Sequence, residues 1–143
     1  VPLPEKNADL IRRADLICYP PGSLDSSVIA NLLPQGVGTA VAARRVPKIY
    51  VPSLGTDPEC SGMTLADQID ALLAALRQDA GEDCPASDLI SLVLLQKETV
   101  AEGVAARIRG DHGIHCVALD LVEAGHPDRY RPERLSRALI ALA

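Results

Sequence analysis

Short apolar runs alternate with longer amphipathic segments along this chain. Residues 88–95 form an apolar-rich run, typical of a strand that is buried on both faces. Residues 64–78 carry apolar side chains at spacings of three and four, the pattern of a helix with one buried face. Thr64 is the predicted N-cap of this helix, and Asp67 three residues later is close to a capping box. We predict strands at 15–19, 47–52, 88–95 and 114–119, helices at 5–13, 26–33, 36–45, 64–78, 98–109 and 132–142, and loops at 53–63 and 80–87.

Strands that alternate with helices predict an α/β fold with a mainly parallel sheet and right-handed crossovers. The length of 143 residues suits one domain, and no internal repeat or long linker divides it. Ligands of such sheets bind outside the carboxyl ends of the strands. The loops at 20–27 and 53–63 are predicted to leave the sheet at these ends, so we look there for the site.

The first of these loops has the composition of an anion-binding turn. Gly22 lets the backbone approach a ligand, and the serines offer hydroxyl groups. The first N–H groups of the following helix have no partner inside the helix, and the helix dipole favours an anion there. A phosphate site and a plain serine N-cap both fit this pattern. Asp25 would repel a phosphate unless it points away or shares a metal ion.

Composition narrows the class of partner. Phe and Trp are absent and 48% of the residues are hydrophobic, so the core is expected to consist of small aliphatic side chains. The net charge of -5 argues against nucleic acid as a partner. No apolar run is long enough to cross a membrane and no signal peptide is visible, which favours a cytoplasmic protein. Its cysteines are then expected to be reduced thiols, although their even number does not exclude a disulfide: Cys18, Cys60, Cys84 and Cys116.

Two further clusters of polar residues suggest metal chemistry. Asp57 and Glu59 in the second loop could contact a metal ion or sugar hydroxyls, or could belong to a solvated turn around Pro58. The stretch from Asp111 to Cys116 contains two histidines and a cysteine. Its last two residues, however, are neighbours in a predicted strand and would point to opposite faces, which disfavours a metal site.

The first loop and its surroundings also resemble a known family. The segment that reads PGSLDSSVIANLL at residues 21–33 is similar to the PGSLYTSxxPNLL segment of CofD/YvcK-like proteins, and the resemblance continues through residues 47–51. The second loop and the end of the chain, residues 130–135, are looser matches. The chain departs from the family in lacking the N-terminal Gly-Gly-Gly-Thr-Gly loop, in the shorter Asp57-Pro58-Glu59 segment, and in Arg131 where the family has Asp.

This resemblance implies a Rossmann-like three-layer sandwich of which residues 1–143 are the C-terminal part, with the glycine-rich portion absent. One branch of the family transfers a 2-phospholactyl group from a nucleotide diphosphate donor to a deazaflavin. The other branch binds nucleotide sugars and has regulatory roles. The resemblance therefore implies a small phosphorylated, nucleotide-linked ligand and leaves open whether the chain is an enzyme.

We assign no catalytic residue and no defined metal ligand. Mg²⁺ commonly binds phosphate groups in proteins, so it is a possible cofactor of this ligand. A homodimer is among the open oligomeric states. Asn31, one helical turn after Ser27, could reach the ligand or bond within the fold. The predicted ligand-binding residues are Pro21, Gly22, Ser23, Ser26, Ser27, Asn31, Gly55, Thr56 and Asp57.

Overall fold

A single parallel sheet organises the structure, a computed structural model that describes residues 2–22, 24, 28–54, 64–97 and 103–143. Its strand order follows the chain: β1 (Ile17–Tyr19), β2 (Lys48–Tyr50), β3 (Leu92–Gln96) and β4 (His115–Leu119), all parallel. The helices are α1 (Glu5–Arg13), α2 (Val37–Ala43), α3 (Leu65–Ala80), α4 (Ala86–Leu89), α5 (Val104–His112) and α6 (Pro132–Leu142). The hairpin of β5 (Val122–Glu123) and β6 (His126–Tyr130) lies between β4 and α6. The predicted α/β fold with a parallel sheet is confirmed.

Side chains alternate between the two faces of the strands, and each face carries a separate apolar core. In β3, Val93 and Leu95 belong to the core shared with α2, α3, α4 and α5, which we call the first core. Leu92 and Leu94 belong to the core shared with α6, which we call the second core. This alternation is the period of two expected of strands covered on both sides. The sheet is therefore the middle of three layers.

The helix predicted at 64–78 is confirmed as α3, which runs from Leu65 to Ala80. Its N-cap Thr64 accepts a hydrogen bond from the Asp67 N–H at 3.1 Å, and the Asp67 carboxylate accepts from the Thr64 N–H at 3.0 Å. The two bonds satisfy N–H groups that a helix start otherwise leaves unpaired. The buried face of α3 packs into the first core through Ile69, Leu72, Leu73, Ala75 and Leu76.

Helices α2 and α3 approach so closely that one position between them has no room for a side chain. A Cβ added at Gly38 would lie 2.1 Å from the Leu76 carbonyl oxygen and 3.1 Å from the Ala80 nitrogen. Backbone atoms of α3 cannot give way as a flexible side chain would. Gly38 therefore sets the spacing of these two helices.

Four predicted elements differ in the structure. The helix predicted at 98–109 is α5, which begins at Val104 after its N-cap Gly103 and extends to His112. The described part of the predicted helix 26–33 is a 3-10 turn over Ile29–Leu32, which ends at Leu33 before Pro34. The predicted loop 80–87 gives way to α4 at Ala86, and β3 begins at Leu92 and not at residue 88. The β5–β6 hairpin was not predicted, because its strands are short and largely exposed and so have no buried alternation.

The ends of the chain agree with expectation. Helices α1 and α6 have the predicted bounds, and Pro132 occupies the first turn of α6, where its missing N–H costs nothing.

Cys18, Cys84 and Cys116 are free thiols, and Cys60 lies outside the described residues. Burial raises the pKa of the Cys18 and Cys116 thiols. None of the described helices combines the length and apolarity that crossing a membrane requires.

Candidate functional site

The two loops singled out from the sequence leave adjacent strands at the same edge of the sheet. Gly22 lies three residues after the end of β1, and Ser53 lies three residues after the end of β2. The pairing of these strands extends past β2, since the Val51 N–H donates to the Tyr19 carbonyl at 3.0 Å. The ladder thus brings the beginnings of both loops side by side.

Ser53 joins the two loops directly. Its hydroxyl oxygen accepts a hydrogen bond from the Gly22 N–H at 2.9 Å, and the hydroxyl donates to the Gly22 carbonyl at 2.7 Å. A hydroxyl group can act in both directions at once, which a carboxylate or an ammonium cannot. Both backbone polar groups of Gly22 are thereby fixed to the end of β2.

A half-buried tyrosine holds the residue before Ser53. The Tyr130 hydroxyl, from β6, donates to the Pro52 carbonyl at 2.5 Å. A tyrosine hydroxyl is a protonated donor at neutral pH, and partial burial raises the pKa of Tyr130 further, to about 12. The unpredicted hairpin therefore supports the edge of the sheet where the loops begin.

Gln96 holds the neighbouring strand end in a similar way. Its side-chain oxygen accepts from the Leu121 N–H at 2.6 Å and from the Val122 N–H at 3.1 Å. The chain leaving β4 is thus tied to the carboxyl end of β3. The carboxyl edge of the sheet is consequently cross-linked by side chains at both of these strand pairs.

The structure places only part of the predicted site. Pro21 and Gly22 are half-buried beside Ser53, whereas Asn31 is exposed in the 3-10 turn. Leu24 and Val28, which flank Ser26 and Ser27 in the sequence, are buried in the first core, as is Leu32; the three lie at intervals of four residues. Six of the predicted residues lie outside the described residues: Ser23, Ser26, Ser27, Gly55, Thr56 and Asp57.

The residues considered for metal binding, none of which was assigned as a ligand, are also only partly described. Asp25, Asp57 and Glu59 lie outside the described residues. His115 is exposed while Cys116 packs against the first core, and His112 pairs with Asp70 of α3 at 3.1 Å. Among the residues that the structure describes, no group of three or more His, Cys, Asp or Glu side chains could hold a metal ion. We therefore derive no chemical step through a metal.

Two grooves lie between helices. One, of about 720 Å³, lies between α1 and α2, with Arg12, Arg44 and Asp79 among largely apolar surroundings. The other, of about 620 Å³, lies between α3 and α5 and contains the pair of Asp70 and His112. Neither includes Gly22 or Ser53, so the strand-end site is defined by its hydrogen bonds and not by either groove.

Sequence reasoning missed Ser53, Tyr130 and Gln96 as residues that shape this edge. Ser53 carried a weak signal, because it is the first polar residue after an apolar strand. Nothing in the sequence indicates its bond to Gly22, which lies 31 positions away. Tyr130 and Pro52 are 78 positions apart and belong to elements with no local relation.

Comparison with known proteins places the chain among relatives. Residues 2–131 match the family described as 2-phospho-L-lactate transferase CofD. A putative gluconeogenesis factor of Aquifex aeolicus is 30% identical over 97% of this chain and 44% of its own length. The gluconeogenesis factor of Bacillus subtilis is 43% identical over 50% of this chain and 22% of its own length.

A solved structure supports the same relationship at the level of the fold. A member of the UPF0052 family from Bacillus halodurans superposes with a TM-score of 0.70 at 22% identity, over 97% of this chain and 47% of its own. The chain thus spans less than half the length of these relatives. The match over residues 2–131 nevertheless covers nearly all of it, and the chain belongs to the CofD family.

Proposed function

We propose that the loops at the carboxyl ends of β1 and β2 bind a phosphorylated, nucleotide-linked ligand. The observation that carries this proposal is the docking of Gly22 on Ser53, which places the starts of both loops together at the edge where α/β sheets bind ligands. Membership of the CofD family supports the class of ligand. Ser23, Ser26 and Ser27 would hold phosphate oxygens, and Gly55, Thr56 and Asp57 would line the opposite side.

Group transfer is the catalytic form of this proposal. In a 2-phospholactyl transfer, a hydroxyl oxygen of the acceptor forms a bond to the phosphorus that carries the lactyl group. The phosphorus–oxygen bond to the nucleoside monophosphate breaks, and the hydroxyl proton passes to a base or to solvent. The protein would contribute mainly positioning and stabilisation of charge by backbone N–H groups.

A regulatory protein that binds nucleotide sugars without chemistry is the second candidate. The relatives named gluconeogenesis factors favour it, because that name describes a role in metabolism and not a transfer reaction. The two candidates share the ligand class and differ in whether product forms.

Binding is tested first, by calorimetric titration of the protein in its full natural length with UDP, GDP and UDP-glucose, with and without Mg²⁺. We expect the double variant Ser26→Ala/Ser27→Ala to lower the affinity by roughly tenfold or more, as loss of hydrogen bonds to a charged group would. Ser87→Ala/Ser136→Ala, two exposed serines in α4 and α6, is the matched control and should bind like the wild type. Equal affinities of both double variants would exclude the phosphate role of the loop.

Turnover separates the two candidates. The protein is incubated with a nucleotide diphosphate derivative of 2-phospholactate, Mg²⁺ and a deazaflavin acceptor, and the products are followed by mass spectrometry. Formation of the phospholactyl-deazaflavin together with nucleoside monophosphate supports the transferase. Binding without product excludes the transferase and leaves the regulatory protein.

A further inference from the structure

Ser53 makes the same pair of hydrogen bonds that another serine makes at the opposite end of β2. Ser53 accepts from the Gly22 N–H and donates to the Gly22 carbonyl. At the amino end, the Ser91 hydroxyl accepts from the Lys48 N–H at 2.8 Å and donates to the Lys48 carbonyl at 3.1 Å. A serine hydroxyl thus makes the same two bonds at each end of β2, although the Ser91 N–H also donates to the Lys48 carbonyl at 2.9 Å. Only the Ser53 pair lies at the ligand edge.

The hydrogen bonds of Ser53 limit what it can do for a ligand. A serine hydroxyl has one proton, and that of Ser53 is committed to the Gly22 carbonyl. The Gly22 N–H is committed to Ser53 in return, so neither group is available to donate to a phosphate in this arrangement. Ser53 would therefore influence binding through the position of Gly22 rather than by contact.

The two residues before Ser53 are fixed by hydrogen bonds to other parts of the fold. Pro52 is buried and has no N–H, so its carbonyl is its one backbone polar group, and Tyr130 donates to it. Val51 is held by the ladder to Tyr19. Ser53 follows directly from these two fixed residues, which means that its hydroxyl has a defined place from which to hold Gly22.

We propose that Ser53 is a positioning residue for the strand-end site: by docking Gly22 on the end of β2, it sets the starting points of the two loops relative to each other. Tyr130 supports it through Pro52. This inference rests on the proposed function and deepens it, since it assigns the alignment of the two loops to one hydroxyl that the family resemblance did not single out.

The test compares Ser53→Ala with Ser91→Ala in the full-length protein. Each variant loses the two hydrogen bonds of one serine hydroxyl, and both should lower the melting temperature; in Ser91→Ala the Lys48 carbonyl keeps its bond from the residue 91 N–H. We expect Ser53→Ala to weaken UDP-glucose and UDP binding by roughly 5- to 20-fold, and Ser91→Ala by less than about twofold. Ser53→Thr keeps the hydroxyl and should restore affinity to within about threefold of the wild type. Tyr130→Phe should show a smaller loss of affinity than Ser53→Ala.

Hydrogen exchange supplies a readout that needs no ligand. Ser53→Ala should accelerate exchange of the Gly22 amide, whereas Ser91→Ala should accelerate that of Lys48 and leave Gly22 unchanged. Wild-type affinity in Ser53→Ala, or equal losses in both variants, would overturn the positioning role while the proposed function stands. Absence of binding by the wild-type protein itself would overturn the proposed function and this role together.

Discussion

The two faces of the sheet are covered in different ways. On one face the first core joins the strands to α2, α3, α4 and α5, with fully buried side chains such as Leu72 and Leu76. On the other face the second core rests on α6 and has fewer buried members: Ile49 and Leu94 are fully buried, but Cys18, Leu92 and Val117 are only half-buried. The sheet is thus thickly covered on one side and thinly on the other.

The strand order explains this difference. Because β1 to β4 follow one another in chain order, right-handed crossovers all pass over the same face. The other face is left to the segment after β4, which supplies the hairpin and α6. The ligand edge draws on both sides: Leu24 and Val28 anchor the first loop in the first core, and Tyr130 reaches Pro52 from the side of the second.

The largest test of this comparison is removal of a leucine from each side. Leu72→Ala empties a fully buried position in α3 and should lower the free energy of unfolding by about 2–5 kcal/mol. Leu139→Ala, at a half-buried position in α6, should cost only about 1 kcal/mol because less apolar surface returns to water. Urea unfolding followed by circular dichroism measures both. Equal losses would mean that the second face is as well packed as the first.

A second test addresses the close approach of α2 and α3. Gly38→Ala places a methyl group against the backbone of α3, and the forced separation should cost about 1–3 kcal/mol or more. Gly110→Ala is the control, since it is exposed in α5 with nothing within 4 Å of the added Cβ. The higher helix propensity of alanine should make this control slightly more stable than the wild type. If Gly38→Ala were as stable as Gly110→Ala, the interhelical contact would not be tight.

A smaller effect is expected at the helix starts on the two faces. Thr64→Ala removes one bond of the α3 capping box and leaves the Asp67 N–H without its partner, at a cost of about 1 kcal/mol. Thr64→Ser should retain nearly all of the stability. Arg131, the N-cap of α6, makes no side-chain bond to its helix N–H groups, so Arg131→Ala should cost less than Thr64→Ala in the same thermal unfolding assay.

The smallest expected effect is a loss of stability at alkaline pH, which depends on one tyrosine on each face of the sheet. Burial raises the pKa of Tyr19, whose hydroxyl bonds to the Leu89 carbonyl in the first core, and raises the pKa of Tyr130 to about 12. In the unfolded chain both tyrosines have a pKa of about 10. Above that pH the unfolded state loses protons before the folded state does, so the free energy of unfolding falls as pH rises.

Below about pH 9 the tyrosines should add no pH dependence. Denaturation midpoints from pH 8 to pH 11 measure the decline, and Tyr130→Phe should remove part of it. Phenolate absorbance offers a direct check that is undisturbed by Trp, which the chain lacks. Titration of all three tyrosines near their ordinary pKa would contradict the burial of Tyr19 and Tyr130.

Much of the fold was predictable where short-range patterns decide it. The bounds of α1 and α6, the capping box at Thr64 and the strands around Cys18 and Val93 follow from spacing, capping residues and apolar runs. The turn at α4 was missed because Pro85 looks the same at a helix N-cap as in a loop. The β5–β6 hairpin was missed because its strands bury almost nothing, and burial is what creates a readable alternation.

The alternation of strands and helices, the family resemblance and the two candidate ligand loops all follow from runs of neighbouring residues, so they can be recognised in the sequence. The order of the strands, the thinner cover of one face, and the bonds of Ser53 to Gly22 and of Tyr130 to Pro52 become visible only in the folded chain. These contacts join residues 31 and 78 positions apart. They depend on which strands are neighbours and in what register, and no local pattern of side chains carries that information.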